Sequence, residues 1–258
     1  MVTTLYLIRH GETEGSDARR YKGSIDVPLS ENGVEQIELV SEYVVQHCSK
    51  GSNSLNPPSP PFDKGGPGGF LSAVYCSPLI RALKSAEIIA KPFGIKPAVI
   101  PDLRERSFGI WEGMSFDEIS EKYPEEFKAW ADNPMKFSPM QGENTLEVRD
   151  RVVKALDKIL EDRGQGVKGS RGKTNNSLES SNLEASLREE SLRPRTLESF
   201  SAENIAIVAH GGVNRIMLCH LLGVPLENIF RIEQNFAALN IIEFWDKYPV
   251  VKLINYTC

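Results

Sequence analysis

Short apolar runs alternate along the chain with longer stretches in which apolar residues recur every three or four positions. Thr4 to Ile8 is β-rich and apolar and stops abruptly at Arg9-His10-Gly11, the pattern of a buried strand that feeds a functional loop. Ser30-Glu-Asn-Gly33 then predicts a helix to about Cys48, with Ser30 as N-cap and Ile37, Val40, Val44 and Val45 at helical spacing. Ala73 to Cys76 reads as the next strand, and Pro78 to Phe93 as a helix with proline in its first turn. After a short run at Pro97 to Ile100 come a turn-like segment from Leu103 to Gly113 and a helical stretch from Ser115 to about Ala131. An amphipathic helix follows from about Asn144 to Arg163. Ile205 to Val208 is another apolar strand, and His210-Gly-Gly212 leads into a helix over Val213 to Leu222. Phe236 to Trp245 and Val250 to Asn255 read as a closing hairpin. Strands alternating with helices predict an α/β fold, a three-layer α/β/α sandwich with a mixed, mainly parallel sheet.

Two segments break this rhythm. Residues 50–70 are dominated by Pro, Gly, Ser and Asn, and residues 164–202 by Ser, Arg, Glu and Asn, so neither carries enough apolar surface to order itself. Each falls between a helix and the next strand, where a core can close around it. The expected organisation is one domain over residues 1–258 with these two flexible insertions. A weak helical pattern around Leu183 to Leu192 leaves a partner-binding arm as the alternative for the second.

Composition narrows the function. The chain has 258 residues, 40% hydrophobic and 25% charged, enough to bury a substantial core. A net charge of -5 lacks the basic excess of a nucleic-acid binder. The partner expected is a small anionic molecule met by a few placed arginines. Cys48, Cys76, Cys219 and Cys258 form no metal-ligand spacing and read as reduced thiols of a cytoplasmic protein. The apolar run Leu5 to Ile8 is too short for a signal-peptide core, and no later stretch approaches a membrane span. Neither a metal nor a cofactor is expected, and oligomeric state is left open.

The chemistry-bearing residues stand at the ends of the predicted strands. Leu7-Ile-Arg-His-Gly-Glu-Thr13 puts Arg9 and His10 where open α/β sheets bind ligands. Ser77-Pro-Leu-Ile-Arg-Ala82 puts Arg81 in a first helical turn, Ala209-His-Gly-Gly212 puts His210 after another strand, and Leu103-Arg-Glu105 offers a carboxyl. Together they have the logic of a phosphate site. Arg9 and Arg81 supply forked, charge-assisted bonds to phosphoryl oxygens, and the amides from Gly211 onward add a helix N-terminus. His10, kept neutral by the arginines, is the candidate in-line nucleophile, with a backbone carbonyl fixing its tautomer. His210, if protonated, steadies an equatorial oxygen, and Glu105 supplies a proton to the leaving alkoxide.

The RHGET motif, the SPLIRALKSAEII helix, the LRERSFGIWEG segment and AHGGVNRI together resemble the histidine phosphatase superfamily, with the phosphoglycerate mutase-like fold. The resemblance implies that His10 is phosphorylated, that Arg9, Arg81 and His210 complete the phosphate pocket, and that Glu105 is the acid. It also places Lys22 and Gly23 in a substrate-facing loop. Where family members often carry Trp-Asn, this chain has Gly15-Ser16, so a phosphate contact from Ser16 is left open. Glu105 is followed by Arg-Ser-Phe-Gly-Ile-Trp-Glu-Gly113, which resembles the phosphatases rather than the mutases. Trp111 to Glu143 and Phe230 to Glu243 are similar to the α-ribazole phosphatase branch, which implies α-ribazole-5'-phosphate of cobalamin biosynthesis as substrate. The alternatives are a broad-specificity sugar or glycerate phosphatase, a phosphoglycerate mutase, and a non-enzymatic phosphate-ester-binding scaffold.

Other polar and aromatic residues receive structural roles. His47 and His220 are expected on helix surfaces, Glu12 beside the arginine cluster, and Glu112 ordering the loop under Trp111. Glu143 is expected at a helix start within reach of the pocket mouth. Trp111, Trp130 and Trp245 are expected to pack rather than to form a substrate platform.

Overall fold

The computed structural model describes residues 2–16, 20–49, 70–164, 203–245 and 248–258. The bulk of both expected insertions, 50–69 and 165–202, including the helical pattern at Leu183 to Leu192, lies outside the described residues. Six strands form one sheet: β1 (Val2–Arg9), β2 (Leu71–Cys76), β3 (Ala98–Val99), β4 (Glu203–Ala209), β5 (Leu239–Trp245) and β6 (Tyr248–Tyr256). Their order is β3-β2-β4-β1-β5-β6. The β3-β2, β2-β4 and β4-β1 pairs are parallel, while β5 runs antiparallel to both β1 and β6. The sheet is mixed and mainly parallel, as the strand and helix alternation predicts.

Alternation along β1 explains the layers. Leu5 and Leu7 join one core cluster with Ile205, Ile207, Val152, Leu156 and Met217, on the side of α5 (Thr145–Gly164) and α6 (Gly211–Leu222). Tyr6 and Ile8 face the other way, against Ile37, Val40 and Val44 of α1 (Glu31–Ser49) and Ala86 and Ile89 of α2 (Ile80–Ala90). A strand covered by helices on both faces needs apolar residues at every position. Each of these fully buried Leu, Ile and Val side chains contributes about 1.5–3 kcal/mol relative to exposure.

Helix boundaries follow local chemistry. The Ser30 hydroxyl accepts the Gly33 N–H at 3.0 Å, as expected of an N-cap. Asn144 caps α5 reciprocally, its side chain accepting from the Glu147 amide at 2.9 Å while the Glu147 carboxylate accepts the Asn144 N–H at 2.8 Å. Two expectations are corrected. Pro78 lies before α2 rather than in its first turn, because Leu79 is still extended (ψ 136°). The stretch from Ser115 to Ala131 is two helices, α3 (Phe116–Lys122) and α4 (Pro124–Asp132), since Pro124 disfavours helical geometry at Tyr123, where φ is -131° and ψ is 58°.

The start of α1 is pressed against the loop after β1. A Cβ on Gly11 would lie 2.2 Å from the Gly33 carbonyl oxygen, and one on Gly33 would lie 2.0 Å from the Glu12 oxygen. Backbone meets backbone there, so nothing flexible can yield. Gly33→Ala is therefore expected to lower stability by about 1–3 kcal/mol, read as a lower urea midpoint at unchanged m-value.

Candidate active site

Three segments converge at the C-terminal edge of the parallel strands. His10 follows β1, Ser77 follows β2, His210 follows β4, and Arg81 sits in the first turn of α2. They open on a cavity of about 570 Å³. Arg9, His10, Ser16, Lys22, Gly23, Arg81, Glu105 and Gly211 all line it.

His10 is buried, and its Nδ1 lies 2.7 Å from the Gly11 carbonyl. A carbonyl can only accept, so Nδ1 carries the proton and Nε2 keeps its lone pair. The backbone is clamped as well, with the His10 N–H donating to the Ala209 oxygen at 3.0 Å and the Ala237 N–H donating to the His10 oxygen at 3.0 Å. Burial, then Arg9 and Arg81, push the His10 pKa well below the usual 6.5, so the ring is neutral at physiological pH.

Both expected arginines are held by backbone carbonyls. Arg9 donates from Nη1 to the Gln234 oxygen at 2.6 Å and stacks its guanidinium 4.1 Å from the Phe236 ring centre. Burial lowers its pKa to about 10, which still leaves a full positive charge at neutral pH. Arg81 donates to the Ile25 oxygen at 2.8 Å and the Gly23 oxygen at 2.7 Å. That second bond shows what Gly23 does: it presents a carbonyl to Arg81 from a backbone at φ +42°, packed so that a Cβ would meet the Glu112 carboxylate at 2.6 Å. Lys22 reaches back to Thr13 Oγ1 at 2.8 Å and to the Glu14 carbonyl.

His210 is fully buried and does not line the cavity; its Nε2 shares a 2.7 Å hydrogen bond with Ser77 Oγ. Its ring stands edge-on to His10, 5.1 Å between centroids. Burial, then His10, Arg81 and Arg9, push its pKa well below 6.5. The expected cationic His210 is thus not a standing feature of the site; only a bound phosphate dianion, by offsetting the arginines, could bring it about. Glu105 accepts the Arg106 N–H at 2.9 Å on one oxygen and the Gly212 N–H at 3.2 Å on the other. The start of α6 therefore fixes the carboxyl at the cavity wall.

Two buried neutral histidines make stability pH-dependent. Their folded pKa values lie below the unfolded value of 6.5, so as pH falls below 6.5 the unfolded chain takes up protons that the folded chain does not. Stability should be full above pH 6.5 and decline below it. Melting temperatures across this range should show the decline, and His10→Asn should make it shallower, leaving the share due to His210.

Three further expectations change. Glu12 does not support the arginines; its carboxylate accepts from Ser30 Oγ at 2.9 Å and Asn32 Nδ2 at 3.0 Å, tying the RHGET loop to the start of α1. Glu143 does not line the cavity. Its carboxylate accepts from Arg104, Arg151 and the Ser107 amide; burial raises its pKa, but the Arg151 and Ser107 bonds with the charges of Arg151 and Arg104 together outweigh that and hold it below the usual carboxylate value. Trp111 and Trp130 both line the cavity, while Trp245 is exposed at the end of β5. Glu112 orders the loop as expected, accepting from Ser24 and from the Phe108 amide at 3.1 Å. His47 is bonded to Tyr6 at 2.8 Å, and His220 lies 3.4 Å from Asp157. The cavity also gains Arg20, Tyr21, Arg106 and Arg215, which sequence reasoning did not single out.

Among the described residues no group of three His, Cys, Asp or Glu is placed to hold a metal, and no helix is long and apolar enough to cross a membrane. Cys48, Cys76, Cys219 and Cys258 are free thiols.

A buried histidine with its tautomer fixed, flanked by two arginines at the end of a parallel strand, has the charge and geometry to receive a phosphate group. The sequence model of the histidine phosphatase superfamily (branch 1) matches residues 5–49, 69–168 and 170–257, and the chain belongs to that superfamily. Several of its curated relatives are named as phosphatases. It is 25% identical to phosphoserine phosphatase 1 of Hydrogenobacter thermophilus, over 98% of this chain and 92% of that one. It is equally 25% identical to the adenosylcobalamin/alpha-ribazole phosphatase of Salmonella typhimurium, over 97% of this chain and 95% of the other. Among solved structures, a putative alpha-ribazole-5'-P phosphatase from Escherichia coli superposes with a TM-score of 0.70 at 21% identity, covering 98% of this chain and 96% of its own. The chain is a phosphatase of this superfamily.

Proposed function

We propose that the chain is a phosphomonoesterase working through a phosphohistidine on His10. The observation that carries this reading is the 2.7 Å contact from Nδ1 to the Gly11 carbonyl, which leaves Nε2 as a lone-pair donor in a cavity lined by Arg9 and Arg81. Nε2 attacks phosphorus, the bond from phosphorus to the ester oxygen breaks, and Glu105 gives its proton to the departing alkoxide. Nδ1 keeps its proton throughout, bonded to Gly11. Water then attacks the phosphohistidine, Glu105 takes the proton, and the phosphorus–nitrogen bond breaks to restore neutral His10. Arg9, Arg81, the Gly211 amide and a phosphate-induced His210 cation offset the charge on the phosphoryl oxygens. Ser16, on the same cavity wall, is the remaining candidate contact. Lys22 and Gly23 act on the substrate side, Gly23 by steadying Arg81.

A shared covalent intermediate makes a specific demand. With a competing alcohol such as glycerol present, the ratio of phosphate released to phosphate transferred should be the same for every ester, because each ester has left before the choice is made. Ratios that change with the leaving group would refute the phosphohistidine.

Placement of Glu105 gives a second test. A Cβ on Gly212 would lie 2.7 Å from Glu105 Oε1, so Gly212→Ala must displace the carboxyl. A shift of this kind should lower kcat/KM for alkyl phosphates about 100-fold, with the circular dichroism spectrum retained.

For substrate, α-ribazole-5'-phosphate is the specific candidate, supported by the likeness to phosphatases named for it. Phosphoserine phosphatases are similar to the same degree, which keeps a small-ester phosphatase as the second reading. Comparing kcat/KM for the two esters separates them, and a preference for phosphoserine would overturn the first.

A further inference from the structure

The cavity has two unlike halves. Its inner end holds His10, Arg9, Arg81 and the start of α6, while its outer wall is aromatic. Phe116 and Phe127 have ring centroids 4.7 Å apart, Phe127 and Trp130 5.7 Å, Phe116 and Trp130 6.0 Å, and Trp111 and Trp130 6.5 Å. No residue of α4 is buried, although Phe127 and Trp130 share one of its faces at i, i+3 spacing. That face lines the cavity instead of entering the core. At the rim, Phe116 is 47% exposed, and across the cavity Phe230 is 67% exposed. Apolar surface left open beside a charged site is the mark of a ligand with apolar surface of its own.

Cations on the aromatic side are already engaged. Arg20 binds both oxygens of Glu118 and the Gly113 carbonyl. Arg106 donates to the carbonyls of Glu143 and Phe137 and to Thr145 Oγ1. A substrate carboxylate there would have to displace protein hydrogen bonds. A substrate ammonium would draw cation–π attraction from the rings, opposed by the like charges of Arg20 and Arg106 in the same cavity lining. Arg215, on the α6 side, gives its Nε to the Ile232 carbonyl at 2.6 Å.

Resting on the phosphomonoesterase reading above, we propose that the site selects esters whose alcohol carries a bulky neutral aromatic or apolar group, seated on the wall formed by Phe116, Phe127 and Trp130. Small alcohols that cannot cover that wall, serine among them, are disfavoured. The cavity of about 570 Å³ leaves room for such a group beyond the phosphate.

The test compares kcat/KM of the full chain for naphthylethyl phosphate, ethyl phosphate, phosphoserine and phosphocholine. All four leave as primary alkoxides, so differences report the alcohol's contacts. Naphthylethyl phosphate should exceed ethyl phosphate by about 30-fold or more, and Trp130→Ala should bring that ratio close to one. Phe116→Ala, at a half-exposed rim position, should lower the same ratio and serves if the tryptophan variant does not fold. Equal wild-type values, a preference for phosphoserine or phosphocholine, or an undiminished ratio in folded variants would overturn the proposal and leave the phosphatase reading standing. Hydrolysis of none of the esters would overturn that reading, and this proposal with it.

Discussion

His10→Ala should abolish turnover, with kcat falling on the order of 10,000-fold or more for every phosphate ester. The size follows from what is lost: without Nε2 no covalent intermediate forms, and no other imidazole lines the cavity. Arg9 and Arg81 owe their positions to the carbonyls of Gln234, Ile25 and Gly23, so phosphate binding should survive the substitution. Calorimetry with inorganic phosphate alongside the rate measurement separates the two effects. A variant that keeps normal turnover would remove His10 from the chemistry, and one that also loses phosphate binding would mean the ring mainly supports the pocket.

Glu105→Gln should slow alkyl phosphates by about 100- to 10,000-fold, while nitrophenyl phosphate, whose leaving group needs no proton, should be slowed far less. Glutamine preserves the shape, but its one carbonyl oxygen can accept only one of the amides of Arg106 and Gly212, so the contrast between ester classes, rather than the rate on either, separates proton transfer from geometry. Equal slowing of both ester classes would mean that another group is the acid.

Much of the fold could be read from the chain because local signals and burial agree. The run Thr4 to Ile8 is apolar at each of its last four positions, as a strand between two helical layers must be, and Ser30 caps the helix that the spacing of Ile37, Val40 and Val44 predicts. The edge of the sheet where His10, Arg81 and His210 meet follows from the same alternation, since each lies just beyond a strand.

What escaped was tertiary. Phe127 and Trp130 recur at the spacing of a core face, and nothing local shows that this face borders a cavity instead. Glu12 and Glu143 are acidic residues near arginines in sequence, yet the first meets Ser30 and Asn32 and the second, just before α5, meets Arg151 of that helix and Arg104 of a distant loop, pairings set by how elements dock. Ser77 opens the SPLIRALKSAEII segment without any sign of its partner, and its bond to His210 exists only because β2 and β4 lie side by side. Arg106 and Arg215 were visible as charges, but their place in the cavity depends on carbonyls from Glu143, Phe137 and Ile232. The charge on His210 is not legible in the sequence because burial depth cannot be read from its motif, and burial is the foremost cause of its depressed pKa.

The central claim is that His10 Nε2 carries the phosphoryl group between ester and water. Mixing the protein with a rapidly cleaved aryl phosphate, quenching in alkali, where phosphohistidine survives, and mapping the modified peptide by mass spectrometry tests this directly. The account predicts one phosphoryl group, on Nε2 of His10, absent from His10→Ala. Turnover with no phosphorylated residue trapped, or with the label on any other side chain, would contradict it.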